Sequence, residues 1–232
     1  MKAVILAGGT GTRLWPLSRK NSPKQVQPFI DNDTLLEKTY KRVGKFFNQK
    51  DIVVVANKDD EEIIRKQLPR LEKNNLFLEP LRRDTAMAIG YGAARIYQQN
   101  PKETIIIVYS DHYIKQEQEY GRIVKLADKV VSQNPDYSVL VGLKPTYPET
   151  GYGYIKIDGQ LAKIGKDEIF IGEKFMEKPD LKTAKQFLKH GDYFWNAGMF
   201  VWRADNLMAL FQKHQPQIYQ GLMNIGQSLG TK

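Results

Sequence analysis

The sequence predicts an α/β fold of three layers, built on a mostly parallel, mixed sheet. Short β-rich runs alternate along the first half with helix-length amphipathic stretches, the pattern of a βαβ series with right-handed crossovers. "DIVVVA" and "TIIIVYS" are continuous β-branched runs, as expected of strands covered by helices on both faces. Ile123, Leu126, Ala127, Val130 and Val131 recur at three-or-four spacing, which marks a helix with one buried face.

The elements follow in order. "MKAVILAGG" opens with a strand over residues 3–6; its glycines suit a loop, and no separate cleavage region argues for a signal peptide. Further strands are expected over 52–56, 76–79, 104–109 and 138–143, and helices over 34–47, 60–68, 84–99 and 117–133. After residue 143 the texture changes. "TYPETGYGYIKIDGQLAKI" reads as strand pieces with a turn at Asp158–Gly159. "IFIGEKFMEKPD" and "FWNAGMFVWR" read as strands, 181–190 and about 206–214 as helices, and the closing "GQSLGTK" as an unstructured stop. With no repeat and no linker, residues 1–232 are expected to form a single domain whose second half completes the same sheet.

Composition narrows the function. A chain of 232 residues with 41% hydrophobic residues can bury a substantial core. The apolar runs, such as 105–109, are far too short for a bilayer, so no membrane role is expected. No cysteine means no disulfide and no thiolate metal site, and a cytoplasmic location is favoured. The net charge of +9 comes from scattered residues, among them Lys41, Arg42, Lys45 and Lys50, read as solvated faces. With no nucleic-acid motif, none is expected as a partner.

Three motifs carry chemistry. "LAGGTGTRLWPLSRKNSPKQ" places Gly8, Gly9 and Gly11 directly after the first strand, where backbone N–H groups can approach phosphate oxygens without a Cβ in the way. It matches neither a Walker A loop, having Thr12-Arg13 after Gly11, nor a dinucleotide fingerprint, having Leu14 where glycine is required. It reads as a long phosphate loop carrying Arg13 and Lys24. In "YSDHYI", Asp111 follows the 104–109 strand and is either a Mg2+ carboxylate or a turn residue; His112 is read as packing. Glu149, Glu177, Lys178 and Asn196 stand among strand-like aromatics and form a polar pocket whose ligand spacing alone leaves open. Tyr152, Tyr154, Phe175, Trp195 and Phe200 are read as core.

Taken in order, "AVILAGGTGTRLWPLSRKNSPKQ", "LEPLRRDTA", "SDHYI", "KPTYPETGYGYI", "FMEKPD" and "WNAGMF" resemble the mannose-1-phosphate guanylyltransferases, or GDP-mannose pyrophosphorylases, from residue 1 to about 216. The resemblance implies a Rossmann-like nucleotidyltransferase architecture of the glycosyltransferase-A-like kind. It implies GTP and mannose 1-phosphate as partners, GDP-mannose and pyrophosphate as products, and Mg2+ as cofactor. Leu6, Ala7, Gly8, Gly9 and Gly11 would bind the nucleotide, with Arg13 on the β- and γ-phosphates and Lys24 on the α-phosphate. Glu79, Asp84 and Thr85 would lie beside the guanine and ribose, and Asp111 would ligate Mg2+. Gly153, Glu177 and Asn196 would hold mannose hydroxyls, and Lys178 the sugar phosphate.

The glycine loop is shared with enzymes joining glucose 1-phosphate to UTP or dTTP, which stay open as an alternative, as does a catalytically impaired fragment that binds nucleotide-sugar. This chain has Asp84-Thr85-Ala86-Met87 where the family commonly has Asn-Thr-Ala-Pro. The family's core continues past residue 232 into a strand bearing WxD(V/L)G, whose Asp is the second metal carboxylate. The domain is therefore expected to be truncated at its C-terminal end, binding GTP with little turnover. A homodimer is compatible with the sequence, which does not fix the oligomeric state.

Overall fold

The computed structural model describes residues 1–8, 33–81 and 85–228, side chains of 226–228 excepted. By its contacts the chain divides into two compact units, residues 1–139 with 200–232 and residues 140–199, within the span read from sequence as one domain.

In the first unit, strands β1 (Lys2–Leu6), β2 (Ile52–Asn57), β3 (Leu76–Glu79) and β4 (Thr104–Tyr109) lie parallel in the order β3-β2-β1-β4. Each falls within a residue of its expected bounds, because continuous Val/Ile runs admit no competing helix phase. The last residues of β8 (Tyr193–Arg203) pair antiparallel with β4, Val201 opposite Ile106, which makes the sheet mixed. Strand side chains alternate between two faces. Val4, Leu6, Val53, Val55, Phe77, Ile105 and Ile107 pack with helices α3 (Thr85–Gln99), α6 (Ala204–His214) and α7 (Pro216–Ser228). The opposite face, with buried Ala3, Ile5, Ile106 and Val108, is met by α1 (Leu35–Val43) and α4 (Glu117–Gln133). Between α1 and β3, α2 (Glu61–Gln67) buries Ile64. The three layers follow.

Local chemistry sets the helix starts. Thr34 caps α1 by accepting from the Glu37 amide at 3.2 Å while its own amide donates to the Glu37 carboxylate at 2.8 Å, a reciprocal capping box. Pro216 opens α7, where its missing N–H costs nothing. This helix corrects the reading of the C-terminal stretch, since it continues through Ser228 into "GQSLGTK".

The second unit pairs β6 (Tyr154–Ile164) antiparallel with β7 (Asp167–Met176) and with the start of β8, Tyr154 standing opposite both Met176 and Trp195. Strand β5 (Val139–Leu143) enters this unit, and α5 (Leu181–His190) covers a small core of Tyr154, Ala184, Phe187 and Trp195. The turn expected at Asp158–Gly159 is not there. Gly159, at φ 74°, sits inside β6 where the register with β7 shifts, so the Asp-Gly signal marks a bulge. The chain reverses at Gly165–Lys166, between paired Ile164 and Asp167, with Gly165 at φ 62° in the position where a two-residue hairpin needs it. No helix among the described residues is long and apolar enough to cross a membrane.

Candidate active site

The parallel register leads four predicted or unpredicted positions toward one rim. Leu6 pairs with Val55 and with Tyr109, and Asn57 pairs with Glu79. Extending these registers by two residues past Leu6 and Tyr109 leads to Gly8 opposite Asn57 and Asp111, with Glu79 beside Asn57. The ladder supports this extension: the Ala7 amide donates to the Val55 carbonyl at 2.8 Å and the Ser110 amide to the Leu6 carbonyl at 3.3 Å. All four lie at the carboxyl ends of the strands. The chain winds outward from β1 through β2 to β3, then returns on the other side of β1 as β4. That reversal is the topological switch point where open α/β sheets bind ligands, and Gly8 and Asp111 flank it.

Glu79 ends β3 with its side chain buried, 7% exposed. Its Oε2 lies 3.5 Å from where a Cβ on Gly8 would sit, so the carboxyl group and Gly8 share one corner. Burial raises its pKa from 4.5 to about 7. Thr85 opens α3, which leaves the carboxyl side of the sheet after β3, and its side chain is exposed. Leu6 and Ala7 are buried beneath the rim, 8% and 1% exposed. Gly9, Gly11, Arg13, Lys24 and Asp84 lie outside the described residues.

Asp111 supplies a hard oxygen donor at this rim. Among the described residues no group of three or more His, Asp or Glu could hold a metal unaided. The half-buried His112 ring lies 5.3 Å from that of Tyr109. Burial, and secondarily the charge of Asp111, raises the Tyr109 pKa.

Sequence reasoning missed two residues behind this loop. Arg42, counted among solvated cations, is 3% exposed, and its Nη1 donates to the His112 carbonyl at 3.2 Å. Thr39, fully buried, donates to the Ser110 carbonyl at 3.2 Å. The available signal was phase: Leu36, Thr39, Tyr40 and Val43 form the buried stripe of α1, and Arg42 stands three residues from Thr39 beside Val43.

In the second unit the predicted sugar residues converge on Gly153. Its carbonyl accepts from the Asn196 amide at 2.8 Å, and a Cβ there would meet Phe175 Cζ at 2.7 Å and Glu177 Oε2 at 3.0 Å. Both atoms are the far ends of exposed side chains, so a Cβ at this position would displace them. Asn196 Oδ1 accepts from the Gly198 amide at 3.0 Å. Lys178 Nζ pairs with Glu177 Oε1 at 2.8 Å, both side chains more than half exposed. Lys178 also has φ 42°, the sole positive φ among described non-glycine residues, directly before Pro179. A side chain in that region is uncommon, and a following proline narrows the choice further. Such strain is retained where the fold over-determines it, typically at ligand clamps.

Two expectations need correction here. Glu149 Oε1 accepts from the Gly151 amide at 2.7 Å and its carbonyl accepts from Tyr154 Oη at 2.7 Å, so Glu149 ties a turn. Tyr154 and Trp195 are core, but Tyr152 and Phe175 are exposed, Tyr152 lying edge-on to Trp195 with ring centres 5.5 Å apart.

The nucleotidyl transferase family profile matches residues 2–228. The alginate biosynthesis protein AlgA of Pseudomonas fluorescens is 39% identical over 222 residues, 94% of this chain and 45% of that protein. The mannose-1-phosphate guanylyltransferase RfbM of Salmonella typhimurium is 38% identical over 221 residues, again 94% of this chain and 45% of its own length. A crystal structure from Thermus thermophilus, described as a mannose-1-phosphate geranyltransferase, superposes with TM-score 0.85 at 32% identity, covering 97% of this chain and 64% of that one. The chain thus spans less than half the length of the curated relatives it matches.

Proposed function

We propose, from the premise that this chain belongs to the nucleotidyl transferase family, that it carries out guanylyl transfer to mannose 1-phosphate. A phosphate oxygen of mannose 1-phosphate attacks the α-phosphorus of GTP in line. The new P–O bond forms as the bond to the β-phosphate oxygen breaks, giving GDP-mannose and pyrophosphate. The nucleophile is already anionic at neutral pH, so no side chain need remove a proton. Positioning and charge neutralisation then carry the rate, as in phosphoryl transfer generally.

The observation supporting this most strongly is the parallel pairing of β1 with β4, Leu6 opposite Tyr109, which leads the two strands side by side toward Gly8 and Asp111 at the switch point. Gly8 would offer its backbone to phosphate oxygens, with Gly9 and Gly11 continuing the loop. Glu79, with Asp84 and Thr85, would lie beside base and ribose. Asp111 would hold Mg2+, which supplies positive charge to the phosphates when bound. Lys24 would lie on the α-phosphate and Arg13 on the departing pyrophosphate. In the second unit, Lys178 would take the sugar phosphate, and Gly153, Glu177 and Asn196 the hydroxyls. A carboxylate and an amide bond hydroxyls as acceptor and donor, and an ammonium suits phosphate.

The test is pyrophosphate release by the full gene product across a panel crossing GTP, UTP and dTTP with mannose 1-phosphate and glucose 1-phosphate. Magnesium-dependent release with GTP and mannose 1-phosphate above every other pair is expected. A preference for glucose 1-phosphate with UTP or dTTP would reject the assignment.

A further inference from the structure

Asp111 follows the last ladder bond of β4, and the backbone on both sides of it is held by one helix. Thr39 Oγ1 donates to the Ser110 carbonyl at 3.2 Å, and Arg42 Nη1 donates to the His112 carbonyl at 3.2 Å. Arg42 Nη2 in turn donates to Thr39 Oγ1 at 3.1 Å, so the two clamps form one chain of hydrogen bonds. A hydroxyl can fill both roles, having one proton to give and lone pairs to receive. Thr39 and Arg42, as above, and Ser110, at 6% exposed, are buried, while His112 is half-buried.

We propose that Thr39 and Arg42 are positioning residues for Asp111, fixing the peptides on either side of it and thereby the aim of its carboxylate toward the metal-bound triphosphate. The inference rests on the reading of Asp111 as the Mg2+ carboxylate. Its physical support is the cost of the arrangement. A guanidinium taken out of water is expensive, and an apolar residue on this stripe of α1 would serve packing as well or better. Burial lowers the Arg42 pKa, and its Nε has no hydrogen-bond partner among the described residues. The ring of Tyr120, 5.6 Å from the guanidinium carbon, offers a π face, yet the Tyr120 hydroxyl is itself without a hydrogen bond among the described residues. What Arg42 does make are bonds to the Asp111 loop and to Thr39. Residues that orient a metal carboxylate in this way typically matter roughly 10- to 100-fold in metal affinity.

The experiment titrates Mn2+ into the full gene product with GTP and no sugar phosphate, reading free Mn2+ by electron paramagnetic resonance alongside the melting temperature. Asp111→Asn should abolish the tight site. Thr39→Val, which keeps the shape and removes the hydroxyl, should weaken Mn2+ affinity roughly tenfold, and Thr39→Ser should restore it. Arg42→Lys should also weaken it. Val124→Ala, a buried α4 position away from this chain of bonds, should lower the melting temperature without changing Mn2+ affinity. If Asp111→Asn loses the site while Thr39→Val and Arg42→Lys bind like the parent, the positioning role is refuted and the metal reading stands. The role is equally refuted if Val124→Ala weakens Mn2+ as much as Thr39→Val at a similar melting temperature. If Asp111→Asn binds Mn2+ like the parent, the metal reading itself fails and takes the inference with it.

Discussion

Glu79 gives the site a pH dependence of its own. Its pKa of about 7 in the folded state, against 4.5 for an ordinary Glu, means the folded protein binds more protons than the unfolded chain between those values. Stability of the ligand-free protein should therefore fall as pH rises from about 4.5 to 7, and level off above. At about 1.4 kcal/mol per pKa unit, a loss of about 3 kcal/mol is expected. Denaturant unfolding at pH 5 and pH 8 checks it: Glu79→Gln should remove most of the difference. Gly8 and Gly153 separate two uses of glycine. A Cβ on Gly8 meets its nearest described neighbour at an ordinary 3.5 Å, so Gly8→Ala should fold normally and lose affinity for GTP. On Gly153 the Cβ collides with Phe175 and Glu177, so Gly153→Ala should weaken mannose 1-phosphate far more than GTP. Isothermal titration with each ligand tells these apart. Lys24→Ala should cost about 10²–10³ in rate, the usual loss on removing one preorganised donor. Near-parental pyrophosphate release would refute its role.

At the scale of elements, legibility followed competition between signals. β2 and β4 were plain because unbroken β-branched runs have one reading. Helix α7 was obscured by Gly221 and Gly226, although Ile218, Tyr219, Leu222, Met223 and Ile225 carry a helical phase. What decides in its favour is tertiary: Leu222, 1% exposed, packs into the core shared with α3 and α6, and Gly90 leaves room for it. Leu222→Ala should cost about 2–5 kcal/mol of stability, measurable by denaturant unfolding. The Asp158–Gly159 signal was real but served a bulge, because pairing with β7 carries the strand onward to Ile164. Arg42 was misread for a related reason. A charged residue is assigned to water by default, and only the carbonyls of a distant loop explain why it is inside.

For the molecule as a whole, the site was legible as motifs and illegible as geometry. Spacing could nominate Gly8 and Asp111 separately, but their meeting at one rim depends on strand order β3-β2-β1-β4, which no single sequence reveals. Nor could spacing expose the strained Lys178 backbone or the clearance at Gly153, both consequences of packing within residues 140–199. On the proposed reading the nucleotide residues would fall in the first unit and the sugar residues in the second. The net charge of +9 would add a long-range attraction for the proposed polyanionic substrates, so GTP association should slow as salt rises. The most direct test of the central claim is a crystal structure of the full gene product with GTP and Mn2+, located by anomalous scattering. The manganese peak should fall on the Asp111 carboxylate, with the triphosphate against the Gly8 backbone at the end of β1. A triphosphate and metal bound away from the β1–β4 edge would contradict it.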